Sequence, residues 1–235
     1  MEGGATHVGV ATITLSNHFE TGFGRNIKRE RASSRRCLSK FYSTEEALAS
    51  RGVVVWPMTG LEADDALASA HLASADPRVL KVCILTPDKD LAQCVRDDRV
   101  VQVDNRAGAI RDANAVLKKF GVSPILIPDY LALVGDSADG YPGISGIGKS
   151  GAARLVNQYG PIEAFPKKLL TGQREQALLF KRLATLRTDA ALFTDVDQLR
   201  LRGTTPAFAE LTTKMGEPGL LARANALAAK LNCAM

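Results

Sequence analysis

Cysteine is scarce in this 235-residue sequence: Cys37, Cys83, Cys94 and Cys233 form no C-x-x-C pair and no metal-finger spacing, which excludes the familiar thiolate zinc motifs. Cys83 and Cys94 fall in apolar stretches and are expected to be buried thiols. No apolar run approaches a membrane span, and Met1 to Glu20 lacks the basic and apolar regions of a secretory signal. A cytoplasmic location without a membrane partner is therefore expected. Neither sign of charge dominates, since 30 Lys and Arg against 25 Asp and Glu leave +5 and a pI near 9.1. That balance permits a nucleic-acid partner without requiring one. Charged residues are only 23% of the chain, which argues against wholesale disorder and against a coiled coil. The chain carries no internal repeat and no clear flexible linker.

Apolar content is ample. At 46%, it suffices for one full core, or one core with a small helical appendage. Val53 to Trp56 reads as a buried strand and Leu61 to Ala75 as an Ala/Leu-rich helix. Val79 to Leu85 is a second strand, Asp88 to Val95 a short helix, and Val100 to Val103 a third strand. Asn105 to Gly108 then turns the chain back through Ala109 and Ile110. Strands alternating with helices predict an α/β fold with a parallel sheet flanked by helices. After Asp112 the pattern is helical: 112–120, 125–134, 148–159, 173–186 and 217–231. Asp112 is the expected N-cap of the first of these, and Gly121 its stop. The division expected is an α/β core over 1–134 and a helical region over 135–235. Ala11 to Thr44 stands apart, with scattered Ser, Arg, Lys and Asn and no sustained period, as in a basic surface arm.

Acidic residues cluster at three places. Glu62, Asp64 and Asp65 follow the first strand, Asp88 and Asp90 follow the second, and Asp136 and Asp139 open a loop after a helix. Ligands of open parallel sheets sit outside the carboxyl ends of the strands, where two of these clusters would lie. Seven carboxylates gathered in one cleft would repel each other without cations, and hard ions such as Mg²⁺ or Mn²⁺ prefer oxygen ligands. Taken singly, each cluster also has a bland reading as helix caps or turn formers.

Gly143 to Ser150 satisfies the phosphate-loop pattern G-x-x-x-x-G-K-[ST] letter for letter. A phosphate loop must follow a buried strand, however, and the acidic, Gly/Pro-containing stretch from Asp136 to Pro142 cannot be one. The better reading is a helix–turn–helix hairpin centred on Gly146, Ile147 and Gly148. Its glycines would let a phosphate approach the backbone, with the N–H groups of the next helix aimed at it. Ile147 would anchor the turn, and Lys149, Ser150 and Arg154 would face a nucleic-acid backbone without reading bases.

In order along the chain, Gly60-Leu61-Glu62-Ala63-Asp64-Asp65, Thr86-Pro87-Asp88-Lys89-Asp90-Leu91-Ala92-Gln93 and Lys119-Phe120-Gly121-Val122 are followed by Asp129 to Asp136, Asp139 to Gly143, Gly146 to Lys149 and Leu183 to Asp189. This series resembles the 5′→3′ exonuclease domain of bacterial DNA polymerase I and related flap endonucleases. The resemblance covers roughly Glu45 to Arg202, with a short piece at His7 to Thr12. It implies a PIN-like fold and a helix–three-turn–helix holding duplex DNA behind a 5′ end or flap, often with K⁺. It also implies two divalent metals, held by Glu62, Asp64, Asp65, Asp88, Asp90, Asp136 and Asp139, that hydrolyse phosphodiesters in replication or repair. A monomer is expected. No polymerase domain is present within these residues, and a polymerase partner is not specified.

The resemblance has a gap. The family's first strand with its aspartate is missing, and Ile13 stands where a second aspartate should follow Val8 to Thr12. The basic residues that clamp the scissile phosphate are absent in register. One G placed before the codons of Ile13 to Thr21 shifts the frame so that D-H-V-I-E-S-F-R-N becomes permitted, which is family-like. The segment from Ile13 to about Ser43 is accordingly read as frame-shifted, and local consistency is expected to fail there. A second function follows from the gap: a structure-selective DNA-binding remnant without catalysis.

Overall fold

A computed structural model describes residues 4–13 and 35–233. Most of the stretch read as frame-shifted (14–34) lies outside the described residues. The chain divides into two compact units, the first holding the described residues 4–13, 35–66 and 190–233, the second 67–189.

In the first unit β1 (Gly9–Ile13) pairs in parallel with β2 (Val54–Met58), in register from Gly9 opposite Val54 to Ile13 opposite Met58. Helix α1 (Arg35–Ser50) precedes β2. Gly9 is required by its neighbour, because a Cβ there would stand 2.2 Å from the Trp56 ring. Trp56 is buried and stacks on Phe193 with centroids 6.4 Å apart. Thr12 Oγ1 donates to Glu45 Oε1 at 2.6 Å, tying β1 to α1. Residues 6–8 run alongside 199–201, with Val8 N–H donating to Leu199 O and Leu201 N–H to Thr6 O. Helices α7 (Pro206–Lys214) and α8 (Pro218–Cys233) complete this unit.

The second unit carries a three-stranded sheet. β3 (Val82–Leu85) is parallel to β4 (Val100–Asp104), and β5 (Ala109–Arg111) returns antiparallel to β4. Its larger core packs α3 (Ala113–Phe120), α4 (Ile127–Val134), α5 (Lys149–Tyr159) and α6 (Arg174–Ala184) around Leu131, Leu133, Val156 and Phe180. A smaller one joins Ala68, Ile84, Leu91, Cys94 and Val100. Asp112 caps α3 by accepting from Ala115 N–H at 2.7 Å, and Gly121 ends it in the left-handed conformation, as its position in the sequence predicts.

The α/β arrangement expected from the sequence is present, with differences of detail. The expected helix over 61–75 is α2 (Ala63–Ala70) followed by a 3₁₀ turn, His71–Ala75; the expected helix over 88–95 is a 3₁₀ turn, Asp90–Cys94. Cys94 is buried, but Cys83 is exposed. Along β3 the side chains alternate, so burial of Ile84 turns Cys83 and Leu85 outward. Helices α1 and α7 were not expected. The first lies across polar sequence whose apolar residues are few, although Leu38, Phe41 and Leu48 keep helical spacing. The second begins with Pro206 after Thr205, a start signal of ordinary kind.

Candidate metal centre and glycine turn

The turn after β3 is held from below. Gln102 lies in the middle of β4 with no exposure, and its amide nitrogen donates to the carbonyls of Thr86 (3.2 Å) and Asp88. Arg111 on β5 reaches the Gln102 oxygen at 3.4 Å and forms an ion pair with Asp104 at 2.9 Å. Above this brace the turn closes on itself: Thr86 Oγ1 accepts from Asp88 N–H, and Asp88 Oδ1 from Asp90 N–H, each at 3.2 Å. Gln93 continues the frame, donating to Asp90 O at 2.9 Å and Ala184 O at 3.0 Å, and accepting from Leu186 N–H. Asp88 and Asp90 are thus presented from a rigid turn at the carboxyl end of β3.

A second turn follows α4. Gly135 (φ +90°) and Gly143 (φ +75°) lie back to back, and a Cβ on either would fall 2.5 Å from the other's backbone or its neighbour's. Only glycine fits both the conformation and the approach. Between them Asp136 and Tyr141 exchange backbone hydrogen bonds of 2.8 and 3.0 Å, and Asp136 Oδ1 accepts from Ala138 N–H at 2.9 Å.

These two turns bring Asp90, Asp136 and Asp139 together, with one carboxylate oxygen of each within 4.8 Å of the others. Asp90 and Asp136 are buried; Asp139 is exposed. Burial first, then the charges of Asp139, Asp88 and Asp136, push the Asp90 carboxyl up to about 8. Burial and Asp136 likewise raise Asp139. Burial would raise Asp136 too, but the Lys89 ammonium 2.7 Å away and the Ala138 N–H outweigh it and hold Asp136 low. Asp90 Oδ1 is buried with no hydrogen-bond partner, and so is the Tyr141 hydroxyl. Converging carboxylate oxygens, one of them buried and unsatisfied, fit a hard divalent cation, which takes oxygen ligands and offsets their repulsion.

Glu62, Asp64 and Asp65 stand at the start of α2 in the first unit. Asp65 Oδ2 accepts from Glu62 N–H at 3.1 Å, the backward half of a capping box. Asp88 belongs to the Asp90 turn and acts on Asp90 through its charge.

The glycine segment is a turn, with no strand before it. Asp136 to Tyr141 forms only an isolated bridge, so the phosphate-loop pattern has no structural counterpart. Gly146 (φ +81°) and Gly148 have open space where a Cβ would stand, and Lys149, Ser150 and Arg154 are exposed. Gly148 caps α5 without a side-chain bond, and no acid occupies the first turn of that helix. Ile147 packs only partly against the core, while Ile144 takes the buried position.

Sequence reasoning did not single out Gln102, Lys89, Gln93 or the buried hydroxyl of Tyr141. Gln102 had a signal, a lone amide between valines in a strand expected to be buried. Lys89, between two aspartates, had another.

Comparison with known proteins settles the family. Residues 5–121 match the 5′-3′ exonuclease N-terminal resolvase-like domain, and residues 122–207 match the 5′-3′ exonuclease C-terminal SAM fold. A flap endonuclease Xni from Edwardsiella ictaluri is 35% identical over 171 residues, covering 68% of this chain and 67% of that protein. The chain belongs to the 5′→3′ exonuclease family.

A 5′-3′ exonuclease from Aquifex aeolicus is 34% identical over 67% of this chain and 56% of its own length. DNA polymerase I of Borreliella burgdorferi is 38% identical over 60% of this chain, but only 17% of that protein. The chain therefore spans little more than half of the Aquifex exonuclease and less than a fifth of the polymerase. In fold it is similar to the T5 D15 protein co-crystallized with metal ions, with a TM-score of 0.57 and 15% identity over 98% of this chain and 86% of that one. Within this family chain the acidic cluster crosses the join between the two matched domains. Asp90 comes from the N-terminal match, Asp136 and Asp139 from the C-terminal one. No helix among the described residues is long and apolar enough to cross a membrane.

Proposed function

We propose that this chain is a metal-dependent 5′→3′ DNA exonuclease or flap endonuclease, hydrolysing phosphodiesters at 5′ ends or flaps in DNA replication or repair. The observation that carries the reading is the convergence of Asp90, Asp136 and Asp139, with the Asp90 oxygen buried and unsatisfied. Asp88, Asp90, Asp136 and Asp139 would hold one Mg²⁺ or Mn²⁺, and Glu62, Asp64 and Asp65 would serve a second. Bound cations of this kind lower the pKa of a water nucleophile and neutralise charge on the scissile phosphate. The protein's own part is to keep the oxygens converged, which the Gln102 brace and the paired glycines do, and to fix the DNA. For the latter, Gly146, Ile147 and Gly148 would admit a backbone phosphate to the N-terminal N–H groups of α5, and the same hairpin would hold K⁺. Lys149, Ser150 and Arg154 would hold neighbouring phosphates regardless of sequence.

Two relatives support this reading by their names, a flap endonuclease and a 5′-3′ exonuclease. One observation favours a non-catalytic DNA-binding remnant instead. Ile13, half exposed at the end of β1, stands where the family resemblance calls for an acid. A labelled 5′-flap duplex separates the two. Cation-dependent release of the flap, reduced more than ~100-fold by Asp139→Ala, is expected for the enzyme. Binding without cleavage, unaltered by Asp88→Ala, establishes the remnant, and failure of both binding and cleavage overturns both readings.

A further inference from the structure

The proposed metal site uses carboxylates, yet the turn that supplies two of them also buries a phenol. Tyr141 is 3% exposed, and its hydroxyl has no hydrogen-bond partner. A buried hydroxyl without a partner is uncommon and destabilising, and in a native fold it calls for a reason. The ring cannot swing away to find one. It stacks on Phe180 with centroids 5.4 Å apart and planes at 27°, and its backbone is bonded on both sides to Asp136. Among the described residues four side-chain polar atoms are buried without a partner; one is on Asp90, in the acidic cluster, and one on Tyr141, whose backbone pairs with Asp136 of that cluster.

The two unsatisfied oxygens want opposite things. Asp90 Oδ1 is an acceptor that a cation would satisfy. The phenol is a donor, because a tyrosine hydroxyl carries its proton at neutral pH. We infer that Tyr141 is a positioning residue of the acidic site, its hydroxyl donating a hydrogen bond to an oxygen of the ligand shell when a divalent cation is held by Asp90, Asp136 and Asp139. In the metal-free fold the hydroxyl is a cost that cation binding recovers. This rests on the reading of the acidic cluster as a metal site and adds to it a residue with no charge and no direct place in the coordination sphere.

Tyr141→Phe removes the hydroxyl and keeps the ring stack. Mn²⁺ is the probe, with its dissociation constant measured by calorimetry on the full chain and melting followed with and without the ion. The expected result is a dissociation constant raised about fivefold, the size of one lost hydrogen bond, while metal-free Tyr141→Phe melts at the same or a higher temperature than the parent. Unaltered Mn²⁺ affinity in Tyr141→Phe, with Asp139→Asn weakening it, overturns the role of Tyr141 alone. Unaltered affinity in both variants overturns the metal site and this inference with it. Should Tyr141→Phe fail to fold, the unmodified protein decides: a tyrosine ultraviolet difference spectrum on adding Mn²⁺ supports the inference, and its absence overturns it.

Discussion

Two acidic clusters of nearly the same composition have different fates in this chain. At the start of α2, Asp65 spends an oxygen on the Glu62 N–H and so helps begin a helix. In the second unit Asp90 is carried on a rigid turn into burial, beside Asp136 and Asp139, with one oxygen left unsatisfied. The difference lies in what surrounds each acid. A carboxylate next to solvent and a helix terminus is stabilised by local N–H groups. One carried into a core by its turn needs a counter-charge from elsewhere.

Breaking the second cluster should begin with its glycines. Gly143→Ala places a Cβ 2.5 Å from the Gly135 backbone at a φ of +75°, so a loss of about 3 kcal/mol or more is expected in denaturant melts, together with loss of Mn²⁺ binding. An unchanged melt would show that the two turns do not depend on each other.

Next in size is a dependence on pH. The Asp90 carboxyl is raised from the ordinary 3.8 to about 8. Between those values the native state binds more protons than the unfolded one, so stability of the metal-free protein falls as pH rises through this window. The fall should be flattened by Asp90→Asn and offset by millimolar Mg²⁺ or Mn²⁺. A metal-free melting temperature that climbs from about pH 4 to 8, or that Asp90→Asn leaves sloping, would contradict this account.

The smallest effect belongs to the first cluster. Asp65→Ala removes one exposed capping bond, worth about 0.5–1 kcal/mol. A much larger destabilisation would mean that Asp65 does more than cap α2.

Parts of this arrangement were legible in the sequence because they are local. The Asp112 cap and the Gly121 stop of α3 need only neighbours in the chain, and the sequence pattern places them correctly. The rejection of Gly143 to Ser150 as a phosphate loop also held, because the stretch before it has the wrong composition for a strand. The acids were found in groups, yet spacing could not say which groups meet. Asp90 lies 46 positions before Asp136, and their approach depends on α4, α6 and the sheet packing as they do. Cys83 shows the same limit at smaller scale: its apolar setting suggested burial, and the alternation of β3 turned it outward. Helix α1 was missed because a polar helix carries little periodic signal, whereas the Pro206 start of α7 was available and not used.

By itself, then, the sequence determined chemistry and local form: which residues can carry negative charge, where the chain must turn through glycine, and which ordered motifs mark the 5′→3′ exonuclease family. Only the tertiary structure decided that three aspartates from two matched domains share one space, that Gln102 braces the turn of one of them, and that the tyrosine paired with Asp136 buries an unpartnered hydroxyl. The reason is physical. Hydrogen bonds along a helix or turn act between near neighbours, while burial and charge repulsion depend on distances that only packing sets.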